Sequence, residues 1–323
     1  TAAVGLEMQH CLAQRGFPVG NLKPLASARS AGKALDFGGE SVTVEELTPD
    51  SFQGVDIALF SAGSSISREF GPHAVNAGAV VIDNSSAYRM NDDVPLVIPE
   101  VNPEDAKTHK GIIANPNCTT IVTLMGLYPL HHEFEASRIV ASSYQAVSGS
   151  GAQGIAELKE QSEALARGEE QVVPNIYAKQ IAFNVIPLVE TIGDNGYTKE
   201  EMKMQNEGRK IMHHPGFRAS TTCVRVPVYR SHAVSVAAEF AKPVNVEYAR
   251  EVLSRAPGVE VMDDREHALF PTPLDSTHRD DCLVGRLRQD LIFDNGLSFF
   301  IVGDQVRKGA ALNAVQIAEL LVQ

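Results

Sequence analysis

The hexapeptide Asn115-Pro116-Asn117-Cys118-Thr119-Thr120 puts a cysteine between two apolar runs, Gly111–Ala114 and Ile121–Leu127. This pattern predicts a strand that ends at a proline-marked turn and a helix that starts within a residue or two of Cys118. Unpaired amides and the dipole at a helix N-terminus favour a thiolate, which lowers the thiol's pKa and makes it nucleophilic near neutral pH. A cysteine is also a small hydrophobe that is at home in a core. Both readings stand on local grounds, and the polar, turn-forming neighbours favour the nucleophile.

Three other groups have types and spacings suited to chemistry. In Arg225-Val-Pro-Val-Tyr-Arg-Ser-His232 an arginine and a histidine flank a strand and its terminal bend. The guanidinium suits a bidentate carboxylate, and an imidazole titrating near neutrality suits proton transfer; either is equally at home as a structural partner. Glu200 and Lys203 are i, i+3 neighbours on a helical stretch. They read as a solvated charge pair, or as a carboxylate and an ammonium offered to a zwitterionic or phosphorylated substrate. The run Ser27-Ala28-Arg29-Ser30-Ala31-Gly32-Lys33 follows a predicted second strand. A dinucleotide site places an acidic residue there for a ribose 2′-hydroxyl; hydroxyls and a guanidinium instead suit a 2′-phosphate, hence NADP over NAD. A plain polar surface loop is the other reading.

These residues need elements to hold them. The first half alternates: a helix over 3–15, strands over 22–28, 42–44, 55–60 and 79–83, and a helix over 68–77. Such alternation means a parallel sheet covered on both faces, a Rossmann-like doubly wound α/β domain. A glycine-rich turn after a first apolar strand normally opens that fold, yet this sequence starts at Thr1-Ala2-Ala3-Val4-Gly5, at or inside the turn. The first strand is therefore expected upstream of residue 1. Strand-like runs follow Cys118 at 138–145, 223–227, 233–240, 283–290 and 297–302. Helices are expected over 153–167 and 198–213 and an irregular loop over 172–187. This second part reads as an α+β domain with a largely antiparallel sheet. An apolar helix over 309–322 returns to pack on the first domain. The expected domains are thus 1–118 plus 304–323, and 119–303.

Composition excludes other classes. A net charge of −12 with no basic run argues against nucleic acid or an anionic membrane, so an anionic substrate needs local cations. No apolar run is long enough to span a bilayer, and no signal peptide is read. Cys11, Cys118, Cys223 and Cys282 are scattered, which suits reduced thiols in the cytoplasm. The adjacent pairs His131-His132 and His213-His214 lack zinc-ligand spacing, so no metal is expected and both pairs are read as surface residues.

Taken in order, the Cys118 segment, Gln145 with Ser148-Gly149-Ser150-Gly151, the Glu200/Lys203 helix and the Arg225/His232 strand resemble the aspartate-β-semialdehyde dehydrogenase family. Asp83-Asn84-Ser85-Ser86-Ala87-Tyr88-Arg89, the stretch from Pro95 to Pro103 and that from Lys308 to Glu319 match as well, so the resemblance spans essentially the whole chain. It implies reversible conversion of L-aspartate 4-semialdehyde, phosphate and NADP⁺ to 4-aspartyl phosphate and NADPH, at the branch to lysine, methionine and threonine. It also implies a homodimer, with the second part as the α+β substrate and dimerisation domain. By the same resemblance Cys118 forms a thioester, His232 is the acid/base and Gln145 orients the substrate at the thiol. Arg225 takes the α-carboxylate and Glu200 the ammonium, while Arg89, Asn117 and Lys203 take phosphate. Thr1, Ala2, Val4, Ser27, Arg29, Ser30, Gly63, Ser148, Gly149 and Gln305 fall at cofactor positions. Two departures stand out: Ala2 where a glycine is common, and Gln305 where many relatives carry Asn, a swap that keeps the amide. The rival readings are N-acetyl-γ-glutamyl-phosphate reductase, whose acetylated substrate has no ammonium for Glu200, and a non-catalytic relative, which would be expected to have lost the nucleophile or the base.

Overall fold

The computed structural model describes residues 3–322. Thr1 and Ala2, both expected near a pyrophosphate, lie outside the described residues. The chain divides into two compact units, Thr1–Pro116 with Ala310–Gln323, and Asn117–Gly309. Cys118 and Gln305 thus belong to the second unit.

In the first unit, helix Ala3–Gln14 buries Met8, Cys11 and Leu12. That i, i+3, i+4 stripe meets the apolar helix Leu312–Val322 in one core with Ile82, Val97 and Ile113. Strands Ile57–Phe60, Val80–Asp83 and Ile112–Ala114 pair in that order, all parallel, with helix Ser64–Asn76 as the first crossover. Leu25–Ala26 pairs in parallel with Glu45–Glu46. The strand expected over 42–44 is instead one arm of an antiparallel hairpin, Ala34–Phe37 with Glu40–Thr43. Gly38 and Gly39, at φ 62° and 87°, form its two-residue turn, and only glycine takes such values freely.

The second unit is built on a six-stranded sheet. Strand His232–Phe240 sits inside it, antiparallel to both Ala136–Gln145 and Gly296–Gly303. Cys282–Gln289 is antiparallel to Gly296–Gly303. The outer pairs are parallel: Arg218–Arg225 with Ala136–Gln145, and Val259–Val261 with Cys282–Gln289. The first parallel pair follows from connectivity, since helices Gly151–Ala166 and Lys199–Ile211 lie between its strands and a crossover brings the chain back in the same direction. Helix Cys118–Phe134 lies against one face. A Cβ on Gly126 would come within 2.8 Å of Ile301, so the glycine lets helix and strand backbones close up. The other face leaves Val140 and Tyr144 53% and 38% exposed.

Two further features depart from the sequence reading. Helix Val246–Ser254 has no counterpart among the expected elements, although Asn245 caps it by accepting from Tyr248 N and Ala249 and Leu253 form its buried stripe. Of the four paired histidines, His132 and His213 are exposed, but His131 and His214 are half-buried with ring centroids 5.3 Å apart. Desolvation, then the neighbouring His214, lowers the pKa of His131.

Candidate active site

Asn117 is the N-cap of helix Cys118–Phe134. Its Oδ1 accepts from Thr119 N at 3.0 Å and Thr120 N at 3.2 Å, and its own N–H donates to Glu207 Oε2 at 2.7 Å. Cys118 is therefore the first helical residue, where the peptide dipoles favour negative charge on sulfur. It is partly exposed, whereas Cys11, Cys223 and Cys282 are buried. Burial pushes the Cys223 thiol up to about 12, only partly offset by its hydrogen bond with Ser143, which makes it a poor nucleophile. Gly309 closes the other side of Cys118. A Cβ there would sit 2.9 Å from the Cys118 Cβ, so the single turn of π-helix Arg307–Ala311 approaches only because this position is bare.

Behind the thiol lies a buried polar network. Asn117 Nδ2 donates to both Glu200 oxygens at 3.1 and 3.2 Å, and Gln145 Nε2 donates to Glu200 Oε1 at 3.1 Å and to Thr119 Oγ1 at 2.9 Å. Lys203 Nζ donates to Glu200 Oε2 at 2.9 Å and to Glu190 Oε1 at 2.6 Å. Burial alone would raise the Glu200 pKa. The Lys203 charge and the hydrogen bonds from Lys203, Asn117 and Gln145 outweigh it, and the pKa is lowered. Lys203 is likewise desolvated, yet Glu200 and Glu190 raise its pKa. The pair is charged on both sides, which a buried pair tolerates only with its lone pairs and protons satisfied.

Arg225 ends strand Arg218–Arg225 and His232 begins the strand His232–Phe240. Arg225 is 6% exposed, and its Nη1 donates to Ala146 O at 2.7 Å. Among the described residues no second protein acceptor engages that guanidinium, so a buried fork retains donors for an anion. His232 is fully buried, and its Nδ1 accepts from Ala146 N at 3.1 Å. A backbone N–H only donates, so in the neutral ring the proton sits on Nε2. Among the described residues that Nε2 has no hydrogen-bond partner. Desolvation first, then the Arg225 charge, lowers the His232 pKa to about 3 against a smaller upward pull from Glu200. Gly149 lies against both residues, for a Cβ there would be 2.9 Å from Arg225 Nη1 and 3.4 Å from His232 Nε2. Gln305 ties the same loop down by donating to Ser148 Oγ and accepting from Ser231 N at 2.7 Å.

A thiol at a helix start, with a buried guanidinium and imidazole on two strands that flank Ala136–Gln145, is thus the candidate site, and the chain as a whole has counterparts among known proteins. Residues 1–109 match the family model described as semialdehyde dehydrogenase, NAD binding domain, and residues 127–308 match its dimerisation domain. The aspartate-semialdehyde dehydrogenase of Aquifex aeolicus is 50% identical over 326 residues, covering all of this chain and 96% of that protein. The chain belongs to the aspartate-semialdehyde dehydrogenase family. The enzyme of that name from Bacillus subtilis is 46% identical, over 99% of this chain and 95% of its own length. The crystal structure of aspartate semialdehyde dehydrogenase II from Vibrio cholerae superposes with a TM-score of 0.97 at 46% identity, covering 100% of this chain and 96% of that one. A second crystal structure of that enzyme is described as complexed with ASA.

The family's nicotinamide-binding unit is the first one here, and its residues fit such a group. Gly63 caps helix Ser64–Asn76 at φ 96°, and nothing lies within 4 Å of an added Cβ, so the helix N-terminus after Phe60 has open space beside it, where backbone amides favour an anion. Ser27 and Arg29 are exposed on the turn after Leu25–Ala26, with Ser30 bonded back through its N–H to Ser27 O at 2.8 Å. Val4 packs its side chain on the core rather than outward. Arg89 is buried in this unit, its Nε donating to Asn115 O at 2.9 Å and its Nη2 to Asn84 O at 2.8 Å. Among the described residues no group of three or more His, Cys, Asp or Glu side chains is arranged to hold a metal, and no helix is long and apolar enough to cross a membrane. Sequence reasoning passed over Thr119, Glu207 and Gly309. Thr119 and Gly309 lay inside stretches already singled out, but nothing local distinguishes a glycine that must approach another chain segment from one that merely turns.

Proposed function

We propose that the chain catalyses the reversible, phosphate-dependent oxidation of L-aspartate 4-semialdehyde to 4-aspartyl phosphate, with NADP as the cofactor. The observation that supports it most directly is the partly exposed thiol of Cys118 on an Asn117 cap, with that cap's amide bonded to a Glu200 that Lys203 and Gln145 hold ionised. Cys118 Sγ adds to the aldehyde carbon; once oxidised, that carbon is a thioester, and a phosphate oxygen displaces the thiolate. The nicotinamide cofactor, when bound, supplies the two-electron hydride chemistry. Arg225 grips the α-carboxylate with its remaining donors. Glu200 provides the counter-charge for the ammonium, which favours the aspartate substrate over an N-acetylated one. Lys203, Arg89 and Asn117 are the phosphate ligands of this reading, and Gln145 orients the substrate.

His232 polarises the substrate oxygen through its Nε2–H. Taking a proton at Nε2 requires the ring proton to move to Nδ1, which breaks the Ala146 hydrogen bond, so in this state His232 acts as a donor. Arg29, Ser27 and Ser30 are the 2′-phosphate ligands, and Gly63, Ser148, Gly149 and Gln305 complete the cofactor set. The assembly is a cytoplasmic homodimer through the open sheet face at Val140 and Tyr144. The decisive assay is NADPH formation by the full chain with aspartate semialdehyde, with and without phosphate, for the parent and for Cys118→Ala. The reading expects phosphate-dependent turnover in the parent and none in a variant of unchanged circular dichroism; substantial turnover by Cys118→Ala would refute the covalent route.

A further inference from the structure

The segment 172–187 has no regular structure, yet its backbone is held from below by one face of helix Gly151–Ala166. Glu157 Oε2 accepts from Asn175 N at 3.0 Å and Ile176 N at 2.5 Å. Gln161 Oε1 accepts from Ile181 N at 2.9 Å and Ala182 N at 3.2 Å, and Gln161 Nε2 donates to Glu157 Oε1 at 3.1 Å. Both side chains are at most 5% exposed. Burying a carboxylate and an amide is costly unless each is satisfied, and here each is satisfied by backbone N–H groups of this one segment. Ile181, Ala182 and Ile186 add a small apolar core with Val147 and Leu158.

What the segment delivers is Tyr177. Its hydroxyl donates to Val147 O at 3.3 Å, and the Arg225 guanidinium carbon lies 5.7 Å from its ring centroid. Gly154, one turn before Glu157, is what makes room: a Cβ there would collide with the Tyr177 hydroxyl and lie 2.5 Å from Val147 O. Positions 154, 157 and 161 share one face of the helix, so a single stripe both seats the ring and ties down the segment that carries it. Among the described residues Arg225 has one protein acceptor, Ala146 O. The Tyr177 ring is its second constraint.

We propose that Tyr177, seated by Gly154, Glu157 and Gln161, is a positioning residue that holds the Arg225 fork in the orientation required by the substrate carboxylate and so sets affinity for the semialdehyde. This rests on the reading of Arg225 as the carboxylate ligand. Tyr177→Leu, Glu157→Gln and Arg225→Lys are compared with the parent as full chains, measuring KM for aspartate semialdehyde, KM for phosphate, and kcat. Tyr177→Leu should raise the semialdehyde KM about tenfold, the worth of a largely desolvated cation–π contact, with kcat and the phosphate KM unchanged. Glu157→Gln, nearly isosteric, should raise the same KM about threefold by loosening the Asn175–Ile176 anchor. Arg225→Lys should raise it by at least as much as Tyr177→Leu, and the double variant should fall short of the product of the two because they act on one contact. If Arg225→Lys raises the KM while Tyr177→Leu or Glu157→Gln leaves it alone, the positioning role is refuted and the carboxylate reading survives. An unchanged KM in Arg225→Lys would instead overturn the carboxylate reading itself.

Discussion

Replacing His232 with glutamine should remove a specific acid sensitivity from the second unit. The folded imidazole is held neutral by burial and by Arg225, with Glu200 opposing, and its pKa is lowered to about 3. In the unfolded chain the same group titrates at about 6.5. Below pH ~6.5 the unfolded chain binds a proton that the folded one refuses, so stability is complete above that pH and drains away as pH falls toward about 3. Integrated from pH ~7.5 to pH ~5, this one group costs about 2 kcal/mol. For a unit of this size that corresponds to a loss of about 4–8 °C in melting temperature. The groups facing the ring are Arg225, Glu200, the Ala146 amide and Gly149, and the side-chain amide of His232→Gln keeps a polar partner for them without titrating. The protein has no tryptophan, so unfolding is followed by far-ultraviolet circular dichroism, at both pH values, for parent and variant. The other titrating groups are common to both and cancel in the difference. If the parent and His232→Gln lose equal stability between the two pH values, His232 is not held neutral and the proton placement set by the Ala146 amide fails with it.

Three further outcomes follow from the geometry. Gly309→Ala should cost about 1–3 kcal/mol of stability by overpacking, and kcat should fall about tenfold or more as Cys118 is pushed aside; wild-type turnover would mean the π-helical turn is not a wall of the site. Asn117→Ala should cost about 1–2 kcal/mol through the lost cap, seen in chemical denaturation, and deprive Glu200 of a donor to both of its oxygens. Arg29→Ala should raise the KM for NADP about tenfold and leave that for NAD unchanged, and equal use of both cofactors by the parent would remove Arg29 from the 2′-phosphate role.

Much of this was legible because it is local. The helix at Cys118 announced itself through a proline-marked turn and an apolar run, all within a dozen residues, and it begins at Cys118. Helix Lys199–Ile211 carries its own capping box, Thr198 with Glu201, so the Glu200/Lys203 neighbours were visible as well. The parallel pairing of Ala136–Gln145 with Arg218–Arg225 was not, because the alternation there is diluted by a long irregular segment that hides a crossover. His131 and His214 read as surface residues because nothing near either one in sequence shows that the other's ring will cover it.

The amino-acid sequence by itself determined which candidate groups exist and, to within a few residues, where their elements lie: the thiol of Cys118 at a helix start, Arg225 and His232 about the bend between two strands, the carboxylate and ammonium of the Glu200 helix. Only the tertiary structure decided their state. The Glu200 charge is kept first by Lys203, three residues on, but also by Asn117 and Gln145, 83 and 55 residues away, and the tautomer of His232 is set by an amide 86 residues away. Propensity, capping and periodicity act over a few residues, whereas desolvation and hydrogen bonding in a core depend on whichever groups folding brings alongside.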